Sequence, residues 1–296
     1  MRALGKHLAD MAHNAEIQHD LRAIRDEFAQ TEMDGLTDRR RSLWSRRHTV
    51  SLALLVAGLV ALESLLPPDL RFEMWLVTMG LLAVFAVIAG HGVTGLWKGL
   101  LIDTRNKISL ARFQMVAWTI LILSAFLTAV MVNVDVGQAE PLAISMPPEL
   151  WLLMGISTTS MLGSPLILSV KKRRVPKAEE KERALSALAR QAVDVARIAI
   201  VGQLVINHEP EQARWSDMFK GSETGNVGQL DLGKVQMFFF TLILVLAYAS
   251  ALAALFQQGR GVVTALPAVD SGMLALLGIS HAGYLANKAL PHSDRE

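Results

Sequence analysis

Residues Phe113–Asn133 read FQMVAWTILILSAFLTAVMVN, 21 positions without one formal charge. At about 1.5 Å per residue, a helix of that length covers the roughly 30 Å hydrocarbon core of a bilayer. Five further stretches have the same character: Thr49–Leu66, Trp75–Trp97, Leu150–Val170, Val235–Phe256 and Ser271–Lys288. The formal charges inside the six are Glu63 and Lys288, both near ends. The expected fold class is therefore an all-α membrane protein with six transmembrane helices. This reading accounts for a chain of 296 residues that is 52% hydrophobic and 19% charged. Its apolar residues stand in blocks, which fits neither a disordered polymer nor an ordinary soluble domain.

The charges orient the spans, because cytoplasmic segments carry the positive excess. Residues 1–48 hold nine Lys/Arg, the link 98–112 four, the link 171–234 twelve and the tail from Lys288 two, which leaves Arg71 and Arg260 for the opposite side. Both termini are expected in the cytoplasm. The organisation that follows is a cytoplasmic helical segment 1–48, spans one to four within 49–170, a cytoplasmic link 171–234, spans five and six within 235–290, and a tail 291–296. The first 40 residues lack an apolar signal region, so the first span serves as an uncleaved signal, and a bacterial inner membrane is the expected address.

Self-comparison gives two matches in the same order. Ser109-Leu-Ala-Arg-Phe-Gln-Met-Val-Ala-Trp-Thr119 aligns with Asp231-Leu-Gly-Lys-Val-Gln-Met-Phe-Phe-Phe-Thr241 at an offset of 122, and Gly155-Ile156-Ser157 aligns with Gly278-Ile279-Ser280 at an offset of 123. Each unit is a span, an outer loop containing Pro, and a return span, so a duplicated helical hairpin is expected. Both copies start on the same side, which makes the repeat parallel.

Helical spacing places Ser157, Ser160, Met161 and Ser164 on one face of span four, and Ser280, Gly283, Tyr284 and Asn287 at the aligned positions of span six. Small and polar side chains in hydrocarbon turn towards other helices or water. Such a stripe forms either a packing seam or a polar pathway. His281 and His91 are the imidazoles at membrane depth; no acid lies there to pair with them, which favours interhelical hydrogen bonding over proton relay. Lys288 is expected to snorkel to the cytoplasmic surface, and Pro165 to kink span four.

In the cytoplasmic parts, Arg2–Glu32 reads as a helix carrying His13, Glu16 and His19, a set too small for a di-iron bundle. Within the long link, Pro176–Ile200 has the periodicity of an amphipathic helix. Beyond it, Trp215, Asp217, Phe219 and Glu223 mix aromatic and acidic groups in a glycine-containing loop and are the candidate partner-interface residues.

No cysteine is present, which removes disulfides, thiolate metal sites and cysteine nucleophiles. There is no phosphate loop, no Gly-x-Ser-x-Gly elbow and no His-Glu-x-x-His, so no enzyme, cofactor or metal centre is expected. The basic residues follow span ends and form no patch with interleaved aromatics. The expected partners are thus the bilayer, a second copy of the chain or a cytoplasmic protein, and not nucleic acid.

The motif Ser-Leu-Ala-Arg-Phe-Gln-Met with Trp-Thr, and Pro-Pro-Glu-Leu with Gly-Ile-Ser-Thr-Thr-Ser, resemble segments of uncharacterised bacterial multispan inner-membrane proteins over much of residues 98–290. The resemblance implies a fold and an address and carries no activity. Two functions of different classes remain. One is a channel-like or passive solute conduit lined by Ser157, Ser160, Ser164, Ser280, Gly283, Tyr284 and Asn287, with His281. The other is a non-catalytic anchor or scaffold that recruits partners through residues 1–48 and 171–234. The recurrence of the stripe in register favours the conduit.

Overall fold

The computed structural model describes residues 43–65, 67, 69–258 and 261–293. The N-terminal helix expected over Arg2–Glu32, with His13, Glu16 and His19, lies outside the described residues, as does Arg260. The described chain is mostly helical, with seven α-helices. They are α1 (Arg46–Leu65), α2 (Arg71–Thr94), α3 (Leu110–Asp135), α4 (Pro148–Lys171), α5 (Ala178–Arg190), α6 (Leu232–Gln257) and α7 (Ser271–Ala289). Among the described residues, α2, α3, α4 and α6 are long and apolar enough to cross a membrane. Helices α1 and α7, of 20 and 19 residues, occupy the first and last of the six expected stretches.

Local chemistry sets the helix ends. Asp231 and Asp270 precede α6 and α7, and their carboxylates accept from Lys234 N and from Gly272 N and Met273 N, partnering amides that have no carbonyl in the first turn. Pro148 opens α4, where its missing N–H costs nothing. Gly95 ends α2 in the left-handed conformation with φ of 73° and donates its N–H to the His91 carbonyl.

Helix α3 is the centre of the bundle. Its Trp118, Leu121, Ile122, Ala125 and Ala129 are buried against Leu150 and Leu153 of α4, Leu244, Tyr248 and Leu252 of α6, and Leu274 and Leu277 of α7. Trp75 of α2 joins this core and donates its indole N–H to Ser124 Oγ at 3.1 Å. The outer surface is equally apolar: Leu54, Val60, Leu166, Phe239, Ile243, Leu246 and Ile279 are all exposed. Bands of exposed aliphatic side chains on long helices, around a core that holds polar groups, are the pattern of a protein solvated by lipid. The chain is an integral membrane protein.

The loops meet one another in two groups, one at each end of the bundle. At one end Ser145 N donates to Thr264 O and Leu266 N to Ser145 O, while the Asn133 carboxamide bonds Val263 through both its N–H and its carbonyl. At the other, the loop 98–109 meets the link 172–231 and the segment 290–293. Asn106 and Asn207 exchange side-chain amides, each donating to the other's backbone carbonyl at 2.8 Å.

The link departs from its expected helix. Helix α5 stops at Arg190, and residues 191–200 do not continue it. Strand β1 (Ile198–Val201) instead pairs antiparallel with β2 (Leu204–Asn207). The run Val195-Ala-Arg-Ile-Ala-Ile-Val201 is rich in β-branched residues, and Gly202 supplies the positive φ of 59° that the two-residue turn needs. Leu188, Ala184, Val205 and Val227 close a small core of the link's own.

Candidate functional site

The polar stripe of α4 lies as expected: Ser157, Ser160 and Ser164 are buried, and Met161 is half-buried beside them. On α7 the buried face is Leu274, Leu277, His281, Tyr284 and Lys288. It falls one residue later than the sequence alignment placed it, so Ser280 is half-buried while Gly283 and Asn287 are exposed. One residue is a rotation of about 100° on a helix, enough to exchange faces.

The stripe is joined across helices. Ser160 Oγ lies 2.5 Å from His281 Nδ1, His281 Nε2 lies 3.4 Å from Gln114 Nε2, and Gln114 donates to Thr241 Oγ1 at 2.6 Å. Four helices are thereby linked: α4, α7, α3 and α6. One turn away, the Lys288 ammonium donates to Ser164 Oγ at 2.9 Å and to Tyr284 Oη at 2.8 Å. The lysine expected to reach the surface is instead 8% exposed and held within the bundle. His91 lies apart, with its Nδ1 3.0 Å from His48 Nε2 and its ring against Trp97 at 4.6 Å.

The four interface candidates in the link separate. Trp215 is exposed, Asp217 accepts from Arg214 N at 2.8 Å, and Phe219 packs edge-on against Phe238 at 5.1 Å. Glu223 is no surface residue. It is 2% exposed and pairs with Lys171 at the end of α4.

A second polar concentration lies in the loop that joins α2 to α3. Ile102 and Ile108 pair across a tight turn and are buried, and between them Arg105 and Lys107 are drawn inward while Thr104 stays exposed. The Asp103 carboxylate accepts from Arg105 Nε at 3.0 Å and Nη2 at 2.6 Å. Burial on its own would raise the Asp103 carboxyl, but the Arg105 charge and hydrogen bonds override it and hold the carboxyl below the usual range. The same pairing, working against burial, raises Arg105. Among the described residues Lys107 makes no such ion pair. Burial first, and the Arg105 charge second, push its ammonium down to about 7.

Arg105 and Lys107 line a cavity of about 400 Å³ roofed by the link, with residues from Leu188 to Val227 forming its other walls. Six Lys/Arg and three Asp/Glu face it. Sequence reading missed this site because it counted the charges of the 98–112 link only for orientation. The available signal was Asp103-Thr-Arg-Asn-Lys107, a densely charged turn between two isoleucines. Compared with protein-family models, with curated proteins and with solved structures, the chain matches none.

Proposed function

We propose that the chain is a six-span protein of a bacterial inner membrane, built on a duplicated hairpin with both termini cytoplasmic. Its folded cytoplasmic head, made by the links 98–109 and 172–231, is its working part. This is the anchor or scaffold reading, and one observation carries it over the conduit: four of the residues that would line a pathway, Ser160, Ser164, Tyr284 and His281, bond across helices. Ser160, His281, Gln114 and Thr241 form one chain, and Ser164, Tyr284 and Lys288 a second. Among the described residues Ser157 Oγ and Gln114 Oε1 stay buried without a partner, and the rest of the face, bonded in this way, serves as interhelical glue. The link, by contrast, has a core and an exposed Trp215, the type of residue that anchors protein interfaces.

The topology is tested in the cysteine-free background. Cysteines placed at residues 138 and 262 are expected to react with an impermeant maleimide from outside, and one at residue 172 only after permeabilisation; the reverse pattern overturns the orientation. For function, Trp215→Ala is expected to remove a cytoplasmic cross-linked partner from the full chain in native membranes. Solute flux through purified protein in liposomes that responds to Ser160→Leu would restore the conduit.

A further inference from the structure

The cavity under the link is lined by donors that lack acceptors. Arg105 spends Nε and Nη2 on Asp103, while its Nη1 is buried without a partner. Gln212, on the opposite wall, uses its carbonyl to accept from Glu209 N and leaves its Nε2 buried and unpartnered. Lys107, 7% exposed, makes no ion pair or side-chain hydrogen bond among the described residues. Of the three acids on the walls, Asp217 accepts from Arg214 N, Asp194 accepts from Ala196 N, and Glu211 is an exposed residue. Burying a cation and orphaning amide and guanidinium donors each cost stability unless an acceptor completes them.

We propose that this cavity binds a soluble phosphorylated small molecule, with its phosphate held by the Arg105 guanidinium and the Lys107 ammonium. A phosphate carries close to two charges and three acceptor oxygens, which matches two adjacent cations and a free guanidinium edge better than a single carboxylate does. A cavity of about 400 Å³ accommodates more than the phosphate, and sites of roughly 300–1,000 Å³ take ordinary metabolites. Its walls come from the 98–107 loop and from 188–227, and none from the six long helices. No lining residue belongs to a lipid-facing helix, which points to a soluble ligand over a lipid headgroup.

The test is calorimetric titration of the full chain in neutral detergent with inorganic pyrophosphate. Saturable binding is expected, weakened at least tenfold in Lys107→Met and unchanged in Lys172→Met, which removes an exposed cation off the cavity. Lys107→Met is expected to melt no lower than the parent protein, because it removes a buried unpaired charge, so its loss of binding is not a loss of fold. Absence of saturable binding, or equal binding by Lys107→Met and the parent, overturns the proposal. Competition by nanodiscs containing phosphatidic acid, with none by phosphatidylcholine, would overturn the soluble assignment. These readouts depend neither on the membrane orientation nor on any protein partner.

Discussion

Lys171 donates to Glu223 across 2.5 Å, and the two side chains are 2% and 3% exposed. This ion pair fastens the last residue of α4 to the link. Both partners have further bonds: Lys171 also donates to Leu290 O at 2.7 Å, and Glu223 accepts from His292 N at 3.2 Å. The pair therefore joins a span, the link and the C-terminal segment at one point.

Breaking that pair from one side leaves a buried charge alone, a loss of about 3–5 kcal/mol in proteins at large. Glu223→Gln is expected to destabilise the protein in detergent by a free energy in that class, read as a lower melting temperature. The double change Lys171→Met, Glu223→Leu is expected to cost less than the single one, because both charges leave together. A double variant as unstable as the sum of its singles would show that geometry, and not the stranded charge, sets the cost.

The seam predicts a contrast between the buried face of α4 and the exposed face of α7. Ser160→Ala removes a hydrogen bond to His281, for about 1 kcal/mol. Ser160→Leu forces extra volume into a buried site, for about 1–3 kcal/mol. Asn287→Leu, on the exposed face, is expected to change stability by less than about 0.5 kcal/mol. Thermal unfolding of the three variants in one detergent checks the order; an Asn287→Leu cost equal to that of Ser160→Leu would place Asn287 in the seam.

This contrast also marks how far the sequence could be read. The long apolar helices were legible because length and charge exclusion are properties of composition, which packing does not alter. The inward face of α4 was legible because three serines at helical spacing have no reason to face lipid. The face of α7 was not. Its placement borrowed the register of α4 through matching Gly-Ile-Ser triplets, and identical residues need not occupy identical rotational positions. Likewise Gln114 is buried whereas its aligned Gln236 is exposed. The β hairpin had a local signal, a β-branched run ending at Gly202, that the apparent helical periodicity of 176–200 masked, whereas the cationic cavity was hidden for another reason. It depends on loops distant in sequence, Arg105 with Asn207 and Lys98 with Ala213, whose meeting no local pattern announces.

At Gly225 the C-terminal segment passes close to the link. A Cβ there would collide with the His292 carbonyl and come within 2.7 Å of Glu180 Oε1. The Gly225 N–H also donates to Ser293 Oγ at 3.1 Å. Gly225→Ala is expected to displace residues 290–293, with loss of about 1–3 kcal/mol from the forced rearrangement. Faster carboxypeptidase removal of the tail, at unchanged helix content, is the measurement that checks it; an unchanged digestion rate would show that the segment yields without detaching.

Lys107 makes the pH dependence specific. Its ammonium, ordinarily near 10.5, sits at about 7 in the folded protein, while the unfolded chain restores the ordinary value. Between these limits the unfolded state holds a proton that the folded state lacks, so this group makes stability rise with pH from about 7 to about 10.5. Below 7 the penalty of the buried charge is present in full. The charged groups facing Lys107 are Arg105 and Asp103 on its own loop, Asp217 from the link and Lys234 from α6. None of the four is altered in Lys107→Met, so the difference in melting temperature between parent and variant isolates the lysine. The variant is expected to be the more stable at pH 7, with the gap closing towards pH 10. Ligand affinity runs the other way: an anion binds the charged ammonium, so pyrophosphate affinity is expected to fall as pH rises above 7. A melting-temperature gap that stayed constant from pH 7 to pH 10 would show that Lys107 keeps its charge in the fold throughout.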